Sequence, residues 1–256
     1  MNIAIFDTET IGVDKLFCYN IGYVIYDTEK RQILTSHDFI VEQVWHNPML
    51  FSTAYYAEKR PIYIKAMRSR KTAMEKYGYI MQFMIREFKA FNVQGAYAYN
   101  SDFDERVFNF NCEWFKTANP FDNIPIFDIR AYAFKKIAFT KIYQDYCDKH
   151  SHYTESGNYS TTAENVYRFI TDNKNFIEEH TALSDSIIES NILQHCIDLG
   201  CEWNTTYKCY KSVPKKEKKT LIVRTVDGEE FSYSYKKAID YKEKKGIKKI
   251  ILKGDC

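Results

Sequence analysis

The residues of this chain whose types and spacing suit chemistry fall in three short stretches. The first is Ile3-Ala4-Ile5-Phe6-Asp7-Thr8-Glu9. Four consecutive apolar residues read as a strand buried on both faces. Two carboxylates at its end call for a cation, because unpaired buried charge is costly. Asp7 and Glu9 are two apart, so an extended backbone sends both side chains off one face. The second stretch, Tyr97 to Asp104 (YAYNSDFD), runs from a short apolar strand through a polar turn into a helix, with Ser101 as its natural N-cap. Asn100 and Asp104, four apart, converge on one side of that junction, and Phe103 faces elsewhere. Taken alone, Asp102, Asp104 and Glu105 would serve equally to complement the helix dipole. The third stretch, His180-Thr181-Ala182-Leu183-Ser184-Asp185, opens a helix whose apolar face includes Leu183, Ile187 and Ile188. Five helical residues turn through about 500°, so His180 and Asp185 cannot share a face if both are helical. The workable arrangement fixes Asp185 in the first turn and leaves His180 in the preceding loop, able to swing toward the site.

Four acidic side chains within a few ångströms repel one another and take up protons unless a metal is present. Mg²⁺ and Mn²⁺ are the hard cations that prefer carboxylate and water oxygens. Two such ions about 3.5 to 4 Å apart can activate a water and steady the leaving oxygen of a phosphodiester. A histidine near neutral pH suits the deprotonation of that water.

In sequence order, with roughly 80 to 95 residues between them, D-x-E, N-x-x-F-D and H-x-A-x-x-D resemble the DEDDh branch of the DnaQ-like 3′→5′ exonuclease family. The resemblance covers about residues 1 to 200. The tract from Thr162 to His180 looks most like stand-alone exonuclease-like proteins of bacteriophages and their hosts. A His five residues before the last Asp favours this branch over its sister, which has a Tyr four before it.

The resemblance implies an α/β, ribonuclease-H-like fold with a mixed five-stranded sheet flanked by helices. It implies metal-dependent hydrolysis from the 3′ end, releasing nucleoside 5′-monophosphates. Asp7 would bridge two divalent cations, Mg²⁺ or Mn²⁺. Glu9 and Asp185 would complete the ion on the nucleophile side, and Asp104 would hold the ion on the leaving side. Glu9 would also contact the 3′-hydroxyl, and His180 would be the general base. Thr8, Asn100 and Phe103 fall on the substrate side, with substrate positioning and core packing as the roles open to Asn100 and Phe103. Single-stranded DNA is the first substrate implied and RNA the second, with a polymerase or replication partner possible. A non-catalytic nucleic-acid-binding protein that kept the fold is the alternative.

The elements that must position these residues can be read around them. Ile21–Tyr26 and Ile33–Val41 are strands joined by a polar turn, forming an antiparallel meander with the first. Residues 45 to 75 read as helical pieces broken near Pro48 and Pro61. Ile80, Met84, Phe88 and Phe91 recur at helical spacing over residues 73 to 91. A strand over 95–99 leads into a helix over about 101–115. A short strand over 126–129 precedes a helix over 130–146, and a polar surface loop spans His150 to Ser160. Helices follow at about 162–170 and 183–199.

Net charge is +2, unevenly placed: Lys211 to Cys256 holds 14 Lys/Arg against 7 Asp/Glu, so the first 210 residues carry a net −5. The chain divides on this reading into an exonuclease domain over 1–210, a basic linker over 211–219, and a small basic ββαβ module over 220–256. Asp227-Gly228 marks the module's hairpin turn. The module's charge suits nucleic acid first, with a partner-binding or solvated accessory domain as the alternative. A chain 45% hydrophobic can build a core. No run of about 18 apolar residues suggests a membrane span, and no signal peptide is read at the start. Seven scattered cysteines outside C-x-x-C spacing suggest reduced thiols and a cytoplasmic protein, host cytoplasm if phage-encoded. Cys147, His150 and His152 with Cys196, Cys201 and Cys209 fit no closed zinc pattern well. Phe51, Tyr55, Tyr56 and Tyr63, interleaved with Lys59, Arg60, Lys65, Arg68 and Arg70, suit either base stacking with phosphate tracking or a plain amphipathic face.

Overall fold

Strand β1 (Asn2–Thr10) is central, paired antiparallel with β2 (Cys18–Asp27) on one side. Next come β3 (Gln32–Val41), helices α1 (Glu42–Trp45), α2 (Pro48–Phe51) and α3 (Arg60–Arg68), and strand β4 (Ala73–Glu75). Helix α4 (Tyr77–Ala90) leads to β5 (Val93–Ala98), α5 (Ser101–Phe115) and β6 (Ile126–Asp128). Helices α6 (Ile129–Ala133), α7 (Lys141–His150), α8 (Ala163–Ile170) and α9 (Ala182–Asp198) follow. Strands β7 (Leu221–Arg224) and β8 (Glu230–Tyr233) pair antiparallel as a separate ribbon. The computed structural model describes residues 1–12, 16–52, 54 and 57–213, and the backbone of 221–224 and 230–233. The turn, helix and last strand expected of the C-terminal module lie outside the described residues.

The sheet runs β4-β3-β2-β1-β5-β6, with β1, β2 and β3 antiparallel and β5 parallel to β1. It has six strands where five were expected. The addition is β4, three residues paired in parallel with the end of β3, too short to leave a period-2 pattern in the sequence. Side-chain alternation along β1 divides the core in two. Ala4 and Phe6 join the cluster formed with α1 to α5, whereas Ile3 and Ile5 join the cluster formed with α6 to α9. The second cluster reaches Val213, three residues past the expected domain boundary.

Three local expectations give way to the structure. Pro48 and Pro61 occupy the first turns of α2 and α3, so they start helices rather than break them; an orphan N–H is lost there at no cost. The helix expected over 130–146 is two helices. α6 widens into a π-turn over Phe134–Ala138, and Thr140 then caps α7 by accepting from the Tyr143 N–H at 3.2 Å. Asn100 rather than Ser101 is the N-cap of α5; it is left-handed (φ 66°) and Ser101 is already helical.

Candidate active site

The parity that divides the core also aims the carboxylates. Asp7 and Glu9 share the face of Ile3 and Ile5, the face covered by α9, while Thr8 points toward α5. Register places Gly22 beside Asp7 and Asn20 beside Glu9 on β2. Both residues seat the start of α9. A Cβ on Gly22 would overlap the backbone of Ala182 and Leu183. The Asn20 side-chain Oδ1 accepts from the Ala182 N–H at 2.9 Å, and Ser186 Oγ donates to the Gly22 carbonyl at 3.1 Å. Thr181 and Ser184 form a capping box, which adds the local start signal. The outcome is that Asp185, in the first turn of α9, meets the end of β1. Ligand atoms of Asp7, Glu9 and Asp185 all lie within 4.8 Å of one another.

Asp104 approaches from the other layer. Its side chain is buried, and Oδ1 accepts from Thr8 Oγ1 at 2.6 Å. It lies outside the three-residue set but close enough for its charge to act on Asp7. A further acid, Glu189, stands one turn after Asp185, buried, and accepts from the Tyr99 N–H at 3.2 Å through Oε2. It thereby ties α9 to the strand end that carries Asn100.

Burial and mutual repulsion raise every carboxyl here. Asp7 is driven well up by loss of solvation, then by Asp104, Glu189, Asp185 and Glu9. Burial, with Asp185 next, pushes Glu9 up to about 9. Burial takes Asp104 to about 7 against its bond from Thr8, and Asp185 to about 8 with help from Glu178. Glu189 is raised by burial and then by Asp104 and Asp185. Lys59 opposes this for Glu9, Asp185 and Glu178, joined at Glu178 by Arg168. A cluster of hard oxygens whose proton affinity is raised in this way fits divalent Mg²⁺ or Mn²⁺. Asp7, Glu9 and Asp185 are the residues that would hold the first ion, with Asp104 beside them.

His180 lies in the loop before α9 with φ 51°. Its Nδ1 is 3.4 Å from Glu178 Oε2, and burial followed by the Lys59 charge lowers its pKa, which favours the neutral ring. The loop is pinned from both ends. Arg168 Nε donates to the Phe176 carbonyl at 2.7 Å, Glu164 Oε1 accepts from the Glu178 N–H at 3.1 Å, and Lys59 Nζ donates to the Glu179 carbonyl.

The other residues singled out in the sequence fall as follows. Thr8 is buried and its hydroxyl is committed to Asp104. Asn100 is exposed, with its N–H on Asp128 Oδ1 at 2.9 Å. Phe103 packs partly into the core with Arg106 5.7 Å above its ring. Cys147, Cys196 and Cys201 are buried in the core, and His150 and His152 flank the Tyr146 ring. Among the described residues, the one group placed to hold a metal is Asp7, Glu9 and Asp185. Phe51 and Tyr63 are core residues, so base stacking is not open to them; Tyr55 and Tyr56 lie outside the described residues. Sequence reasoning missed Glu178, Glu189, Asn20 and Gly22, and singled out Lys59 for phosphate tracking or a plain amphipathic face rather than for its place beside the carboxylates. Glu189 carried a signal, since four residues past Asp185 is the same helix face; Gly22 carried none without the register.

With this geometry in hand, the arrangement can be set beside solved structures. A 3′-exonuclease solved in recognition of the 3′ end of a histone mRNA stem-loop superposes with TM-score 0.50 at 14% identity, over 91% of this chain and 71% of that one. The fold is that of this 3′-exonuclease. The nuclease domain of 3′hExo, a DEDDh family member bound to rAMP, is similar over 81% of this chain and 97% of its own (14% identity, TM-score 0.48). E. coli Exonuclease I in complex with a dA16 oligonucleotide is similar over 75% of this chain and 39% of its own (15% identity, TM-score 0.47). No protein-family model and no curated protein matches the sequence. The domain is an α/β fold, a six-stranded mixed sheet flanked by helices, with its acidic cluster at the end of the central strand.

Proposed function

We propose that this chain is a metal-dependent 3′→5′ exonuclease acting on single-stranded DNA, with RNA the nearest rival substrate, and releasing nucleoside 5′-monophosphates. The observation that carries the reading is the convergence of Asp7, Glu9 and Asp185 within 4.8 Å, from two elements whose ligands Glu9 and Asp185 lie 176 residues apart along the chain, with Asp104 alongside. Such a cluster has no structural use without a cation, because burying it costs solvation that hydrogen bonds to Thr8 and Ser184 only partly return. The bound divalent ions would supply Lewis acidity and charge neutralisation at the scissile phosphodiester.

The chain's own residues do the rest. Asp7, Glu9, Asp104 and Asp185 hold the ions, on a strand and two helix starts that cannot shift without disturbing the core. His180 takes the proton of the attacking water on its imidazole, which its lowered pKa keeps neutral. Glu178, 3.4 Å from Nδ1, orients the ring and favours the imidazolium once the proton arrives. The same site serves either sugar, and preference for DNA rests on the likeness of the tract from Thr162 to His180 to phage exonuclease-like proteins.

The test is purified full-length protein with Mn²⁺ or Mg²⁺ on matched 5′-labelled DNA and RNA oligonucleotides, single- and double-stranded. A descending ladder that chelator abolishes, and that Asp7→Asn lacks, is the expected result. Intact oligonucleotide with a mobility shift would mean a binding protein, and cleavage in excess chelator would remove the metal from the mechanism.

A further inference from the structure

The segment that the sequence marked as aromatic and cationic separates into two parts once folded. Phe51 and Tyr63 go inward, to pack with Trp45 and Tyr19. The cations stay outside. Over residues 57–71 there are six of them (Lys59, Arg60, Lys65, Arg68, Arg70, Lys71) against one acid, Glu58. Arg60 is occupied in part, its guanidinium lying 5.1 Å from the Trp45 ring and 5.2 Å from the Phe51 ring. Lys65, Arg68, Arg70 and Lys71 are exposed, and among the described residues none of them has a carboxylate partner. Four uncompensated cations in seven residues repel one another, which is an unusual arrangement on a body whose net charge is negative.

This ridge is continuous with the candidate active site. Lys59, at its start, donates to the Glu179 carbonyl beside His180, and its charge acts on Glu9 and Asp185. From the residue after Lys59, α3 runs for nine residues, about 14 Å at 1.5 Å per residue, and Arg70 and Lys71 follow its end. That length matches about four phosphates at the stacked spacing of ~3.4 Å per strand. A polyanion whose terminal phosphodiester sits at an acidic site needs positive charge further along to hold it. From this juxtaposition we infer that Lys65, Arg68, Arg70 and Lys71 form the track for the phosphates of a single nucleic-acid strand upstream of the bond being cut. The inference rests on the proposed exonuclease reading. It assigns the ridge to backbone charge, since Phe51 and Tyr63 are spent in the core.

Binding and cleavage are tested separately, in the full chain. Affinity for a fluorescent single-stranded oligonucleotide is measured in chelator across a salt series, for wild type and for K65A/R68A/R70A/K71A. Each single-strand phosphate contact contributes about 0.7 to the slope of log affinity against log salt. The quadruple variant is expected to lose roughly 2 to 3 from that slope and to raise KM for oligonucleotide hydrolysis roughly 10- to 100-fold at low salt, with kcat retained. The charge-preserving swap K65R/R68K/R70K/K71R is expected to keep the wild-type slope, which separates charge from packing. An unchanged slope and KM in the alanine variant would overturn the track and leave the ridge to solvent or an acidic protein. Failure of wild type to cut any oligonucleotide would instead sink the exonuclease reading, whatever the slope.

Discussion

His180 combines a strained backbone with a defined partner. A non-glycine residue at φ 51° costs on the order of 1–3 kcal/mol, and here the pins on Phe176 and Glu179 hold the loop in that state. Replacing the ring by Ala is expected to cut turnover about 10²- to 10⁴-fold, the range for a general base, while the melting temperature stays near wild type. Single-turnover rates beside a thermal melt check both, and near-normal turnover would remove His180 from the proton transfer. Glu189 is one acid among 34, marked in the sequence only by its spacing from Asp185. Its structural part is separable from its charge. Glu189→Gln keeps an acceptor for the Tyr99 N–H, so urea denaturation is expected to show stability at least equal to wild type. Glu189→Leu leaves that N–H buried and unpaired, at a cost of about 1–3 kcal/mol. Equal stability of the two variants would mean the bond contributes nothing.

At the scale of elements, the site depends on how closely α9 can approach β2. Gly22 is buried opposite Asp7 with a φ that any residue adopts, so its role is space. Gly22→Ala is expected to push the first turn of α9 away, separating Asp185 from Asp7 and Glu9. We expect a loss of roughly 1–3 kcal/mol or more from overpacking, together with a fall in metal affinity; calorimetric Mn²⁺ titration with a denaturation curve measures both, and wild-type metal affinity would show that α9 has room to spare. Much of this scale was legible beforehand. Strands β1 to β3, α5 and α9 announce themselves by period and length, and the placement of His180 outside the helix with Asp185 inside follows from helix geometry alone. What escaped had physical reasons. β4 is too short to show a period, Thr140 interrupts a helix whose apolar pattern runs on, and the prolines of α2 and α3 mark starts as readily as stops. The glycine that admits α9 is visible only through pairing register.

Across the whole molecule, the three sequence stretches specified where acids would gather, but which of their charges share a site depended on both core layers closing on one strand end. Asp7, Glu9 and Asp185 come together from the α9 layer, and Asp104 arrives through Thr8 from the α5 layer. That convergence makes stability depend on pH in a direction opposite to that of paired surface acids. In the metal-free protein Asp104, Asp185 and Glu9 titrate at about 7, 8 and 9, against about 4 in an unfolded chain. The folded state therefore holds protons that the unfolded state has released. The contribution is fully present below about pH 4 and is lost as pH rises through 7 to 9. In chelator, the melting temperature is expected to fall between pH 6 and pH 9. Metal ligation requires the deprotonated carboxylates, so Mg²⁺ or Mn²⁺ should reverse the fall at the alkaline end and release protons on binding. At 100 times its dissociation constant the ion adds about 2.7 kcal/mol, roughly 5–10 °C for a domain of this size. Melts in chelator and in excess metal at both pH values, with proton release followed by an indicator dye, decide the matter. A melting temperature that rises with pH in chelator, or that ignores the metal, would mean that the carboxylates are not held against one another for a cation.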